Sequence, residues 1–284
     1  MPASAADAPC PEQAFNATAL KWHTCAWLLL PVLIFLAGWM HWYAALPLML
    51  LTAAGLAPQK RKEPQTRDSL PAFPLFTRSS FLALAAFAAL MTLSGWGEWV
   101  NQHPDHIVRN ACLRELVASP WPVIFPDGNM LVYNTGFWLV PALAGKLAGL
   151  DAARVFVVLW GTWGLFLTWL WLCVFSGRRS LLLALLMAAF GSLLNFQCWL
   201  GLDLFRLHYF GTAEQIMCSA NASIPVLLFF IFLASGRMPL PWIPLLFAAT
   251  AFYSPLAALG GLPLAACQWY RQWRGVPPLR DVLL

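Results

Sequence analysis

The chain has 284 residues, 60% of them hydrophobic and only 10% charged, with 16 Trp, 20 Phe and a formal net charge of +5. Its mean hydropathy of +0.66 leaves too little polar surface to cover a water-soluble globule, so the composition describes an integral membrane protein. Apolar runs near twenty residues fit spanning helices, whose backbones satisfy their own hydrogen bonds, and the alternation of a membrane barrel is missing.

Residues 1–25 carry acids and no base before Lys21, which is unlike a signal peptide and reads as a disordered tail. The apolar region from there to the end, 26–284, reads as one transmembrane helical domain. Its first run, 26–56, is too long for one upright helix and predicts a hairpin of two short ones, turning at "HWYAALP". The segment 57–80, "APQKRKEPQTRDSLPAFPLFTRSS" with its neighbours, is rich in proline and basic residues and reads as a cytoplasmic loop. A helix over 81–100 then runs outward, and 98–131 becomes an outer loop.

Two further runs, 132–150 and 154–175, are separated by "GLDAAR"; a third, 180–200, follows Arg178 and Arg179. A second polar island covers 201–222, and spans follow at 224–235, 240–253 and 256–270. If every run crosses, the two arginines fall outside and the second island inside. If 132–150 only dips into the bilayer, the arginines return to the cytoplasm and both islands share the outer face, which obeys the charge rule and is the preferred arrangement. The basic end, "RQWRGVPPLRDVLL", reads as a cytoplasmic loop with more chain to follow.

Basic residues in short loops beside spans point to orientation, and nucleic-acid binding is not expected. No Walker-type phosphate loop or dinucleotide fingerprint is present. The seven cysteines show no CxxC and no Cys/His ligand spacing, which argues against a zinc site. Cys112, Cys198 and Cys218 fall near outer loops, where one disulfide could form. "NAT" at Asn16 and "NAS" at Asn221 are read as chance matches to the glycosylation tripeptide.

In the first island, Ile107, Val108, Ala111, Cys112, Leu116 and Val117 recur at helical spacing, with Asp105, His106, Arg109 and Glu115 on the remaining face. This predicts an amphipathic helix lying on the outer surface, started by Pro104 and with Asp105 in its first turn. Asp105 has His103, His106 and Arg109 within one turn: a carboxylate beside a cation, with a histidine for proton transfer or metal binding. Glu98, Arg114 and Glu115 read as solvated charges, and Asp127-Gly128-Asn129 as a turn. In the second island Asp203, Arg206, His208 and Glu214 lie between apolar walls, so the two islands would border a cleft suited to an amphiphilic substrate.

This order of parts resembles the amino-terminal half of GT-C type glycosyltransferases, the multi-pass enzymes that use polyprenyl-phosphate-linked sugars. More narrowly, "HPDHIVRNACLRELVASPWPV", "YNTGFWLVPALAGKLAG", "GLDLF", "SANASIP" and "YSPLAALGGLP" are similar to segments of a family of bacterial multi-pass membrane proteins, over roughly residue 80 to the end. The resemblance implies an all-α polytopic helical bundle, GT-C-like, in the bacterial inner membrane, with a polyprenyl-phosphate-linked sugar and membrane lipid as partners. Asp105 would then activate the acceptor, with His106 assisting. Asp203 would be the second outer acid; Arg109 or Arg206 would stabilise the leaving phosphate, and His208 would join them in binding substrate. Asp105 and Asp203 could hold a divalent metal, but two isolated acids are too few ligands to predict one. A large carboxy-terminal soluble domain is not recognisable. A transporter or flippase, or a structural subunit of envelope polysaccharide assembly, stays open as an alternative; few ionisable residues fall within the spans, Lys146 being the main exception.

Overall fold

The structure, a computed structural model, describes residues 17–57, 77–100, 102–190 and 211–276. Among them the secondary structure is helical: α1 (Ala17–Trp39), α2 (Trp42–Leu56), α3 (Arg78–Leu93), α4 (Pro104–Ala118), α5 (Gly136–Ala148), α6 (Leu150–Ser176), α7 (Leu181–Ala189), α8 (Thr212–Ala234), α9 (Trp242–Tyr253) and α10 (Pro255–Trp273). Three of these are long and apolar enough to cross a membrane: α1, α6 and α8. Helix α6 forms the centre. Its 27 residues extend about 40 Å, and most of its length is buried by α1, α3, α5 and α8.

Small residues let those neighbours approach α6 closely, as is usual where lipid supplies no hydrophobic drive between helices. A Cβ on Gly164 would lie 2.6 Å from Ile224 of α8 and 2.7 Å from Trp27 of α1. Trp27 itself is sandwiched between Trp160 and Tyr253. Its indole N–H donates to the Trp160 carbonyl, and the Tyr253 hydroxyl donates to the Trp27 carbonyl. These two bonds pair polar groups of α1, α6 and α9 within the apolar core.

Helix α1 begins nine residues earlier than predicted. Leu20, Thr24, Cys25, Trp27 and Leu28 form one buried face, and the polar Lys21 and His23 between them had disguised it as tail. With 23 residues α1 is no short hairpin arm, although the chain does turn after Trp39 and Met40 into α2. Helix α3 stops at Leu93, before the expected 100, because Gly95, Gly97 and Glu98 all take positive φ. "GLDAAR" is no loop: Gly149 alone, at φ 89°, separates α5 from α6, and Asp151 and Arg154 belong to the first turns of α6.

The second polar island was expected to reach residue 222, yet "TAEQIMCSANA" is helical from Thr212. Helix α5 spans about 20 Å, too short to cross a hydrocarbon core of about 30 Å. Its last turn packs on the end of α4, where Lys146 donates to the Ser119 carbonyl at 2.6 Å and stacks over Trp121. Lys146 is therefore a cap on the carbonyl end of α4 rather than a charge inside a span.

The contacts define two ends of the bundle. At one, Trp39 at the end of α1 packs on Trp121, Arg154 at the start of α6 meets Glu98 after α3, and the start of α8 meets α4. At the other, Thr24 near the start of α1 accepts from Trp171 late in α6, Arg179 donates to Ser80 at the start of α3, Trp22 packs on Trp242, and Gln272 donates to the Met238 carbonyl. The first end holds all six described carboxylates (Glu98, Asp105, Glu115, Asp127, Asp151, Glu214) with four cations (Arg109, Arg114, Lys146, Arg154). The second holds Lys21, Arg78, Arg178, Arg179, Arg237, Arg271 and Arg274, and no described carboxylate.

Candidate functional site

The site is built where α4 meets a bend in α8. Ser219 leaves helical geometry (φ −152°, ψ 43°), and Pro225 lacks the N–H that would serve the Asn221 carbonyl. Such a break frees carbonyls that must find other donors. Four side-chain bonds answer this need. The Ser223 hydroxyl donates to the carbonyls of Ser219 (2.7 Å) and Gln215 (3.1 Å), the Trp96 indole to Ile216 (2.8 Å), and His106 Nε2 bonds the Met217 carbonyl at 2.8 Å. Since a carbonyl only accepts, the ring proton of His106 sits on Nε2.

Helix α4 forms as its sequence predicts, with Pro104 in its first turn and His103 as its N-cap, accepting from the Asp105 N–H at 3.3 Å. Its faces match the expectation only in part: Cys112 and Leu116 of the apolar set are buried and Asp105 is exposed, but two residues of the polar set are not. His106 and Arg109 turn inward and are buried with Cys112, Leu113 and Leu116, while Ile107 and Val108 face outward at 71% and 58% exposure. The α8 bend explains this: an inward His106 reaches its Met217 carbonyl and an inward Arg109 its Ser219 hydroxyl, neither of which Ile or Val could bond. Arg109 donates to the Ser219 hydroxyl at 3.1 Å and lies over the Trp96 ring.

Asp105 stands at the open rim of this contact, with Oδ2 3.7 Å from both Arg109 Nη2 and His103 Nδ1. His103 Nε2 faces Cys218 Sγ at 4.0 Å. His103, Asp105 and Cys218 each present one donor atom, and the three atoms all lie within 4.8 Å of one another. Of the residues expected at the site, the structure thus brings together Asp105, His106 and Arg109. Asp203, Arg206 and His208 lie outside the described residues, as does Cys198; the residues that flank their segment meet, the Thr212 N–H donating to the Phe190 carbonyl at 2.9 Å.

The environment sets His106 apart from an ordinary surface histidine. Burial is the main cause that lowers its pKa, the nearby Arg109 and His103 add to it, and the Met217 hydrogen bond opposes it. The ring is therefore neutral at neutral pH and is committed to the bend, so it fits a positioning role better than that of proton carrier. Cys112 and Cys218 are free thiols. Asn221 is buried within α8, which agrees with reading its tripeptide as chance. Asp127 accepts from Asn129 in the expected turn, at Gly128 with φ 83°.

One group that sequence reasoning set aside as solvated is central here. Glu98 accepts from Arg114 and Arg154, both at 2.6 Å, and its side chain is only 11% exposed. It therefore ties the loop after α3 to both α4 and α6. Burial pushes its carboxyl upward, but the two arginine hydrogen bonds and their charges outweigh that and hold its pKa below the usual carboxylate range. Its positive φ of 67° is strained for a residue with a Cβ, and "GWGE", two glycines around a Trp and then an acid, is the local signal that could have marked it. A separate groove of about 230 Å³ between α9 and α10 is lined by Ile243, Pro244, Phe247, Leu262, Ala265, Ala266 and Trp269. It offers no titratable group and is no candidate for chemistry.

No protein-family model matches this chain, and no curated protein or solved structure is significantly similar to it.

Proposed function

We propose that the chain is a GT-C-like membrane glycosyltransferase that moves a sugar from a polyprenyl-phosphate carrier to an acceptor at the carboxylate-bearing end of the bundle. The positive-inside rule assigns the opposite, all-cation end to the cytoplasm, which puts Asp105 on the outer face of a bacterial inner membrane. The observation that carries the reading is the placement of Asp105. It is half exposed, backed by a buried Arg109 and set against the bend of α8, the helix that the segment bearing Asp203, Arg206 and His208 leads into.

In this reading the Asp105 carboxylate takes the proton of the acceptor hydroxyl as its oxygen attacks the sugar's anomeric carbon. The bond from that carbon to the carrier phosphate breaks, and polyprenyl phosphate leaves as the anion. Arg109 is too buried to reach a lipid phosphate, so it positions Asp105, and His106 positions the bend. The resemblance then leaves phosphate contact to Arg206, and donor binding to Asp203 and His208, which lie outside the described residues. The exposed Ile107 and Val108 suit contact with lipid beside the site.

The test is transfer of radiolabelled hexose from polyprenyl-phosphate hexose by the purified chain in lipid nanodiscs, for wild type and Asp105→Asn. Wild-type transfer that the variant loses, with unchanged thermal unfolding, supports the reading. Equal transfer by both removes Asp105 as the base, and donor binding without transfer favours a lipid-handling or structural role instead.

A further inference from the structure

We propose that His103, Asp105 and Cys218 form a binding site for a zinc-class divalent cation. The three come from two elements that the structure fixes against each other. His103 and Asp105 open α4, and Cys218 sits in the bend of α8 between two residues pinned to α4: Met217, through its carbonyl and His106, and Ser219, through its hydroxyl and Arg109. The geometry of the pair is thus set before any ion arrives, which is what a selective site needs.

The donor set decides the class of ion. Thiolate, imidazole and carboxylate together suit zinc and its borderline-soft neighbours, whereas magnesium and calcium take oxygen ligands. Tetrahedral zinc, with bonds of about 2.0–2.1 Å to nitrogen or oxygen and about 2.3 Å to sulfur, separates its donors by about 3.3–3.6 Å. His103 Nε2 and Cys218 Sγ are already 4.0 Å apart, and no pair of donors exceeds 4.8 Å. Rotation of the half-exposed Asp105 side chain closes much of the remaining gap. Three protein ligands leave the fourth position to water, the pattern of an open site rather than a closed structural one.

The proton changes balance. Cys218 gives up its thiol proton to solvent as the metal–sulfur bond forms, so one proton leaves per ion bound from that group. Coordination through Nε2 moves the ring proton of His103 to Nδ1, which faces solvent once the Asp105 carboxylate, now 3.7 Å from Nδ1, turns to the ion. The cost is the hydrogen bond from the Asp105 N–H to Nδ1, which at 3.3 Å is a long one. The residues stand 115 positions apart in the chain, which is why cysteine spacing alone argued against a zinc site.

The inference does not rest on the transferase reading and competes with it, since an Asp105 that holds the ion is not the free base; it is read on the full chain without donor or acceptor. Detergent-purified protein is titrated with Co²⁺, then with competing Zn²⁺, for wild type, Cys218→Ala, His103→Ala and a control, Cys112→Ala, whose thiol is buried away from the trio. Wild type and Cys112→Ala bind one Co²⁺ with the near-ultraviolet band of a thiolate–cobalt bond, and Zn²⁺ removes the band. Cys218→Ala loses the band, and His103→Ala binds at least about 100-fold more weakly. A wild-type protein without the band, or a band that persists in Cys218→Ala, overturns the proposal. Should Cys218→Ala fail to fold, His103→Ala alone decides: unchanged cobalt affinity in that variant overturns it.

Discussion

The end of the bundle that carries Asp105 and the end that carries Arg178 handle charge in different ways. At the first, six carboxylates and four cations lie among bonds that join separate elements: Glu98 links α3, α4 and α6, Lys146 links α5 to α4, and Arg109 and His106 link α4 to the broken α8. At the second, seven cations stand without a described carboxylate, on helix ends and short turns. The ladder of each spanning helix needs no help from side chains, so a charge network across elements signals a place where backbone has been left open or chemistry is set up. The bend at Ser219 is such a place. The cation-rich end is also joined across elements, Arg179 donating to Ser80 at the start of α3, but without a described carboxylate.

The comparison can be broken most severely at Asp105. Asp105→Asn is expected to lower sugar transfer by about 100-fold or more, the usual contribution of a general base, while Arg178→Gln at the opposite end leaves the rate within about twofold. Comparable losses in both variants would mean that the two ends do not divide the work as described.

Next comes stability. Removing Glu98 leaves Arg114 and the largely buried Arg154 without their shared partner, and Glu98→Ala is expected to cost about 3 kcal/mol. Arg178→Ala, at an exposed position without a bridging role, is expected within about 0.5 kcal/mol of wild type. Thermal unfolding in one detergent compares them directly, and equal shifts would deny that the Glu98 network holds the polar end together.

The smallest expected effect is on pH dependence. His106 has its pKa lowered in the folded chain, so the unfolded chain binds its proton first as pH falls. Its contribution is complete above about 6.5 and shrinks as pH drops from there toward the lowered folded value. Glu98, also lowered, keeps its contribution above the unfolded carboxylate pKa of about 4.3 and loses it as pH falls through its folded value. Two steps in stability are therefore expected on acidification, and His106→Gln should abolish the upper one and keep the lower.

What the sequence made legible follows from how local each signal is. Pro104 and Asp105 mark the start of α4, and Asp127-Gly128-Asn129 marks its turn, because neighbouring residues decide both. The face that α4 buries was legible in part: Cys112 and Leu116 were read as apolar positions and are buried. The inward turn of His106 and Arg109 was not, since only the bend at Ser219 offers them the Met217 carbonyl and the Ser219 hydroxyl. Glu98 was taken as solvated because its partners lie 16 and 56 residues away. Cys218 was read as a candidate for a disulfide near an outer loop, and the imidazole opposite it was missed because it is 115 residues distant. Long-range pairing of polar groups inside an apolar bundle has no period to betray it.

The measurement that bears most directly on the two-ended account is cysteine accessibility in intact cells. Single cysteines replace Asp127, in the exposed turn after α4, and Arg178, after α6, in a chain whose native thiols have been removed, and a membrane-impermeant maleimide is applied before and after lysis. The account predicts that the cysteine at 127 labels in intact cells and the one at 178 only after lysis. Labelling of both from the same side, or in the opposite order, would contradict it.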